Sequence, residues 1–360
     1  DSKFIVTASA DKTVKQWDVA TKKVVKTFTF GSTAVELMQV SVVWVNADTI
    51  ISLSLAGDLY YLDLENPAQP KKVVNGHNKK IYSIVADEKN NRFYTSGSDG
   101  ALIRWDAGVG SSGKPTGKGH TASISIVGLA GKHVVAIAVD QTVRFIDSET
   151  FAYTGESVKL DSFPNDIAVS TVDPDYFAVS TAKGVAFFKN CELKHFEEVK
   201  GFEPSCIAFS PNDSEIIIGA TDKKARVFTV ADFKLTQVAV IDKHRGAISK
   251  VKYSPDGSMF AIGDSNREII VYDSASRAEK YTGLVFHTSK ISDLAWAKTG
   301  AYLTSGSVDK SVIVWDLVNS KRATAEIAHL QGVNAITVLN ENTAISVGND
   351  FCVRQWEFKF

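Results

Sequence analysis

The sequence is poor in the features that announce catalysis or a membrane. Among its 360 residues are three cysteines, Cys191, Cys206 and Cys352. Odd in number and without metal-ligand spacing, they predict reduced thiols of a cytosolic protein rather than a disulfide framework. No apolar run approaches the roughly 18 residues of a membrane span, and no secretory signal pattern opens the chain. A formal net charge of -1 and a pI near 6.7 exclude a global basic field that would draw nucleic acid or an anionic membrane. Helical periodicity is missing. So are a nucleophile elbow and zinc-type ligand spacing, and the sequence predicts no enzyme, no cofactor and no metal. Asn212-Asp213-Ser214 fits the glycosylation triplet, a chance match in a cytosolic chain.

What is present is ordinary globular composition, 44% hydrophobic and 22% charged, in a chain long enough for one to three domains. Its unit is seen best at Thr304–Asp316, where a strand ends in small residues, turns on an aspartate and resumes as Val312-Ile313-Val314-Trp315-Asp316. β-branched residues favour extended chain, and Gly306 with Asp309 supplies the turn. The closing position recurs at Trp17, Leu62, Trp105, Ile146, Phe188, Phe228, Tyr272, Trp315 and Trp356. Gaps of about 40 to 45 residues match the four-strand period of a propeller blade. An aspartate stands six residues ahead at Asp11, Asp99, Asp140, Asp222, Asp309 and Asp350, and Asn266 fills that slot before Tyr272. His77, His120, His244, His287 and His329 keep phase with these turns. The fold predicted is an all-β WD-repeat β-propeller.

Nine closing strands exceed the seven blades most common for this repeat. Counting back seven from Trp356 reaches the blade closed by Trp105, and the last strand, Trp356–Phe360, has no fourth strand after it. Lys71-Lys72-Val73-Val74 is expected to supply it and so close the ring, because a closed sheet has no exposed edge. Pro67 and Pro70 mark a linker in front. Residues 71–360 therefore read as a ring of seven four-stranded blades, and residues 1–70 as the last blades of an upstream propeller plus the linker. A single ring of eight or nine blades is the alternative. The chain opens at Asp1 in mid-pattern and without Met, as a piece of something longer would.

The His, Asp and Trp positions have a structural reading. The sets His77, Asp99, Trp105 and His287, Asp309, Trp315 are expected to form buried hydrogen-bond chains through Ser96 or Ser305, stapling their blades. A metal or catalytic reading of the same residues is set aside, because histidines phased with blades spread around the ring. His133 and His195 fall outside the phase and lack a motif partner. Gly108–Lys114 fits the first positions of a phosphate-binding loop, but Pro115 replaces the required hydroxyl and no helix follows. Basic residues near the expected loops, Lys79, Lys80, Lys223, Lys224, Arg245, Lys290 and Lys310, are the candidate partner-binding rim. A merely solvated rim is the other reading.

One further resemblance is more specific. Ile51–Asp63, Glu65–Pro70, Gly76–Ile81, Ser96–Gly100, Gly117–His120, Ile291–Trp296 and Ser346–Asp350 resemble the actin-interacting protein 1 family, whereas residues from about 150 to 240 match only as generic blades. The resemblance implies two seven-bladed propellers, of which this chain is the second plus the tail of the first. It also implies a cytoplasmic, non-enzymatic monomer of the actin cytoskeleton that binds actin filaments and cooperates with cofilin in disassembling them. The resemblance further implies that much of the family's best-attributed actin and cofilin surface lies on the first propeller, so no binding residue is carried over by identity. A generic WD-repeat scaffold or adaptor is the alternative function.

Overall fold

The computed structural model describes residues 3–46 and 48–359; Asp1, Ser2, Ala47 and Phe360 lie outside it. Among the described residues there is no α-helix, and the strands form nine antiparallel sheets of three or four strands each. Among those residues no helix is long and apolar enough to cross a membrane. The chain divides into two compact units, residues 1–78 with 105–114, and residues 79–104 with 115–360.

The first unit holds a three-stranded sheet, Phe4–Ala8, Thr13–Asp18 and Val24–Thr29, and a four-stranded one, Gln39–Asn46, Thr49–Ser54, Leu59–Leu62 and Pro70–Val74. Val14, Phe28, Ile50 and Leu62 are its buried apolar centre. Lys71–Val74 does not close the other ring, as the sequence suggested. It pairs with the strand just before it, Tyr60 opposite Val73 and Tyr61 opposite Lys72. A strand reached across a short loop costs less closure entropy than a distant partner, and Lys72 gains the face of Tyr61 at 5.9 Å.

The second unit is a ring. Its seven first strands are Ile81–Asp87, Ile124–Ala130, Pro164–Val169, Pro204–Phe209, Ile248–Tyr253, Ile291–Trp296 and Val333–Asn340. Each lies beside the next, and Val333–Asn340 lies beside Ile81–Asp87, so seven close upon themselves, not eight or nine. Side chains at the strand starts stitch neighbours together: Asn165 Nδ2 donates to Pro204 O at 2.7 Å, Ser205 Oγ to Ile248 O at 2.6 Å, and Asn334 Nδ2 to Ile81 O at 2.7 Å. All first strands therefore begin at one end of the ring. The last sheet has three described strands, ending at Val353–Glu357, not the four expected.

Sequence chemistry explains the hairpins. The carboxylates of Asp11, Asp99, Asp140, Asp222, Asp309 and Asp350 each accept the N–H of the residue two positions on, at 2.9 to 3.4 Å. That Asx turn precedes a residue in the left-handed region, such as Lys310 at φ 78° or Gly100 at φ 73°. The aspartate after the closing aromatic does the same for the next turn, as Asp316 does toward Val318 and Asn319.

Candidate functional site

The staples come first because they position the loops. His287 Nδ1 lies 3.1 Å from Asp309 and its Nε2 2.8 Å from Ser305 Oγ, to which the Trp315 indole also donates at 2.9 Å. The sixth sheet of the ring is thus tied from loop to turn to its second and third strands. His77 is buried, Asp99 makes its turn to Ala101, and Trp105 lies in the strand Leu102–Asp106. The sequence reading missed an equal set in the last sheet. There His329 bridges Asp350 at 2.7 Å and Ser346 at 2.8 Å, and Trp356 donates to Ser346 at 2.8 Å. Its spacing was in phase and could have revealed it.

Burial would raise the Asp350 carboxyl, yet hydrogen bonds from His329 and Arg354 outweigh it and hold it down at about 2. Asp309 is lowered in the same contest by His287 and Ser311. His120 is different again, reaching Thr142 Oγ1 and Ala136 O at 3.2 Å each. In the fifth sheet, Asn266 does not serve His244; the facing carboxylate is Asp264, 3.5 Å away. His195, expected to lack a partner, sits 2.8 Å from Glu197.

The candidate rim lies at the end of the ring where first strands begin. Lys80 O and Lys290 O receive the N–H groups of Ser98 and Val308, equivalent places in two sheets. Lys223 and Lys310 stand at hairpin tips on the same end, each just after its turn aspartate. Lys79, Lys80, Lys223, Arg245, Lys290 and Lys310 are exposed; Lys224 is half-buried and paired with Asp242 at 2.8 Å. The fold therefore brings Lys290 and Lys310 into one sheet and Lys223 and Lys224 into another. Acids share the rim, so it is a mixed surface and not a uniform basic field.

Two features of the ring had no sequence signal. At the rim end a cavity of about 450 Å³ opens among Val139, Phe163, Val308, Lys290 and Asn334. Its apolar wall is unusually open, with Val139 39%, Phe163 48% and Val308 47% exposed. Deeper, a central cavity of about 700 Å³ contains a charge cluster. Lys250 Nζ sits 2.9 Å from Asp166 and 3.5 Å from Asp293, drawn from three different sheets. Burial would lower the lysine, but the two carboxylates outweigh it and keep it protonated. Asp166 also accepts the Ile207 N–H at 3.3 Å and Asp293 the Ile336 N–H at 3.0 Å, which ties the cluster to neighbouring sheets.

Two sequence features with chemical potential are otherwise engaged among the described residues. Lys114, last residue of the phosphate-loop look-alike, is spent on Asp58 at 2.9 and 3.1 Å, and Ser111–Gly113 before it is a strand. Burial pushes the Cys206 thiol up to about 12 and Cys191 up to about 11, so both stay protonated and weakly nucleophilic.

A family model described as "WD domain, G-beta repeat" matches residues 1–18, 68–106, 235–273 and 279–316. The "66 kDa stress protein" of Physarum polycephalum is 34% identical over 334 residues, 92% of this chain and 55% of that protein. "Actin-interacting protein 1" of Drosophila melanogaster is 30% identical over 361 residues, 99% of this chain and 58% of its own length. "Actin-interacting protein 1-2" of Arabidopsis thaliana is 31% identical over 332 residues, 91% of this chain and 54% of its own. The chain spans a little over half the length of the curated relatives it matches.

Proposed function

Because the chain belongs to the WD-repeat β-propeller family that includes actin-interacting protein 1, we propose that it is a non-enzymatic actin-filament-binding protein that cooperates with cofilin in filament disassembly. The observation that carries this reading is similarity over nearly the whole chain to proteins named for actin interaction. On this reading the protein is a cytoplasmic monomer of the actin cytoskeleton, and it binds neither nucleic acid nor membrane. The sheets up to Pro70–Val74 supply the last blades of an upstream propeller, and the ring whose first strand is Ile81–Asp87 is the second. Two rigid rings joined by a short connection would give weak contacts avidity on a filament.

The exposed rim lysines are the proposed contact. Actin-filament co-sedimentation tests it, with and without cofilin. Cofilin-dependent pelleting and faster filament loss are expected; the absence of both would overturn the reading. Charge reversal at Lys290 and Lys310 should weaken pelleting, more at low salt than at high. The apolar cavity mouth at Val139, Phe163 and Val308 favours a second reading, a general scaffold for another protein. Pelleting unaffected by the lysine changes but lost in Phe163→Asp would favour that surface.

A further inference from the structure

The fifth sheet of the ring departs from its neighbours at one place. Sheet pairing aligns Ile262–Ile269 with Ser305–Val312: Gly263 opposes Ile269 as Gly306 opposes Val312. In that alignment Ser305 becomes Ile262, Ser307 becomes Asp264, Asp309 becomes Asn266 and Ser311 becomes Glu268. One carboxylate is removed from the turn and two are inserted on either side of it. Ser311 Oγ lies 2.9 Å from His287 Nδ1, so Glu268 occupies the position that borders the corresponding ring nitrogen of His244.

The consequence is an unsatisfied histidine. His244 is 5% exposed, and its Nε2 is 3.2 Å from the Tyr272 hydroxyl. Its Nδ1 is buried and has no hydrogen-bond partner among the described residues, whereas Nδ1 of His287 and of His329 is engaged by aspartate. Facing it at 3.5 Å is Asp264, fully buried, whose oxygens already accept the N–H groups of Gly246, Asn266 and Glu268. The Tyr272 hydroxyl can donate to Nε2 or accept from it; in the tautomer where it accepts, the Nδ1 lone pair is aimed at a carboxylate. Two acceptors so placed repel unless a proton or a cation lies between them.

We propose that His244 Nδ1, Asp264 and Glu268 form a divalent transition-metal site, with zinc its best-matched ion. One ligand atom from each lies within 4.8 Å of the others. Bonds of about 2.0–2.2 Å to nitrogen and oxygen in a tetrahedral site bring donors to roughly 3.3 Å apart. His244 and Asp264 already approach that separation, and the half-buried Glu268 closes the remainder by side-chain rotation. A mixed imidazole and carboxylate set suits zinc better than calcium or magnesium, which prefer oxygen alone. Tyr272 is the outer partner of the other ring nitrogen, the kind of contact that orients ligating histidines. Three protein ligands leave a fourth position for water or a partner's side chain. The site lies in the loop and hairpin of one sheet, so metal would brace that part of the rim, beside Arg245.

Isothermal titration of the full chain with zinc chloride tests this, paired with visible absorption of the cobalt(II) form. The expected result is one equivalent bound, with cobalt bands of four-coordinate intensity. Glu268→Gln and Asp264→Asn should each weaken binding at least tenfold, while Arg267→Gln leaves it unchanged. Glu268→Gln should keep the wild-type urea midpoint without metal, which separates lost ligation from lost folding. Absence of saturable one-equivalent binding overturns the proposal, as does wild-type affinity in both carboxylate variants.

Discussion

Replacing Lys250 by Met removes a cation from the centre of the ring with little change of volume. Its ammonium lies 2.9 Å from Asp166 and 3.5 Å from Asp293, which are 6% and 7% exposed. At an effective dielectric near 20 those distances give attractions of roughly 6 and 5 kcal/mol. Desolvation costs several kcal/mol per ion, so most of the attraction is consumed and the intact cluster contributes little net stability. Breaking it is another matter. Two carboxylates remain that are held by neighbouring backbone N–H groups and cannot swing into water. The expected loss is about 3–5 kcal/mol, measured by urea unfolding followed through tryptophan fluorescence. The triple variant Lys250→Met, Asp166→Asn, Asp293→Asn removes charge from all sides and should recover much of that loss. A Lys250→Met protein within about 1 kcal/mol of the parent would refute the reasoning, since it would mean the carboxylates reach solvent.

Other perturbations probe the staples and the packing. Ser305→Ala deprives both His287 and Trp315 of a buried partner and should cost about 1–3 kcal/mol, with Ser346→Ala similar, read as a lowered thermal midpoint. The depressed carboxyls of Asp309 and Asp350 contribute stability above the ordinary carboxylate range that is lost as pH falls toward about 2. Asp350→Asn should therefore flatten the acid limb of a stability–pH curve, and an unchanged limb would count against the pairing. A Cβ on Gly306 would meet Val333 Cγ1 of the next sheet at 2.5 Å, so Gly306→Ala should cost about 1–3 kcal/mol through overpacking.

The repeat was legible because each blade needs its own local chemistry. A turn aspartate must lie two residues before the N–H it caps, and a closing aromatic must lie one strand further on, so Asp309 and Trp315 keep a fixed distance in sequence. His287 was readable for the same reason. The partner of His244 was not legible, because Asn266 keeps the spacing while Asp264 takes the contact. Lys71–Val74 was misassigned because an unpaired last strand says that an edge exists but not which strand covers it.

Residue spacing alone thus determined the blade, its repetition and the count of closing strands. Only the tertiary structure decided that seven first strands close into a ring and that its centre is charged. Asp166, Lys250 and Asp293 come from separate blades, and nothing in any one blade records the others. A hairpin is specified by neighbours in the chain, whereas a ring's interior is specified by neighbours across it. Local sequence carries the first kind of information and only closure creates the second.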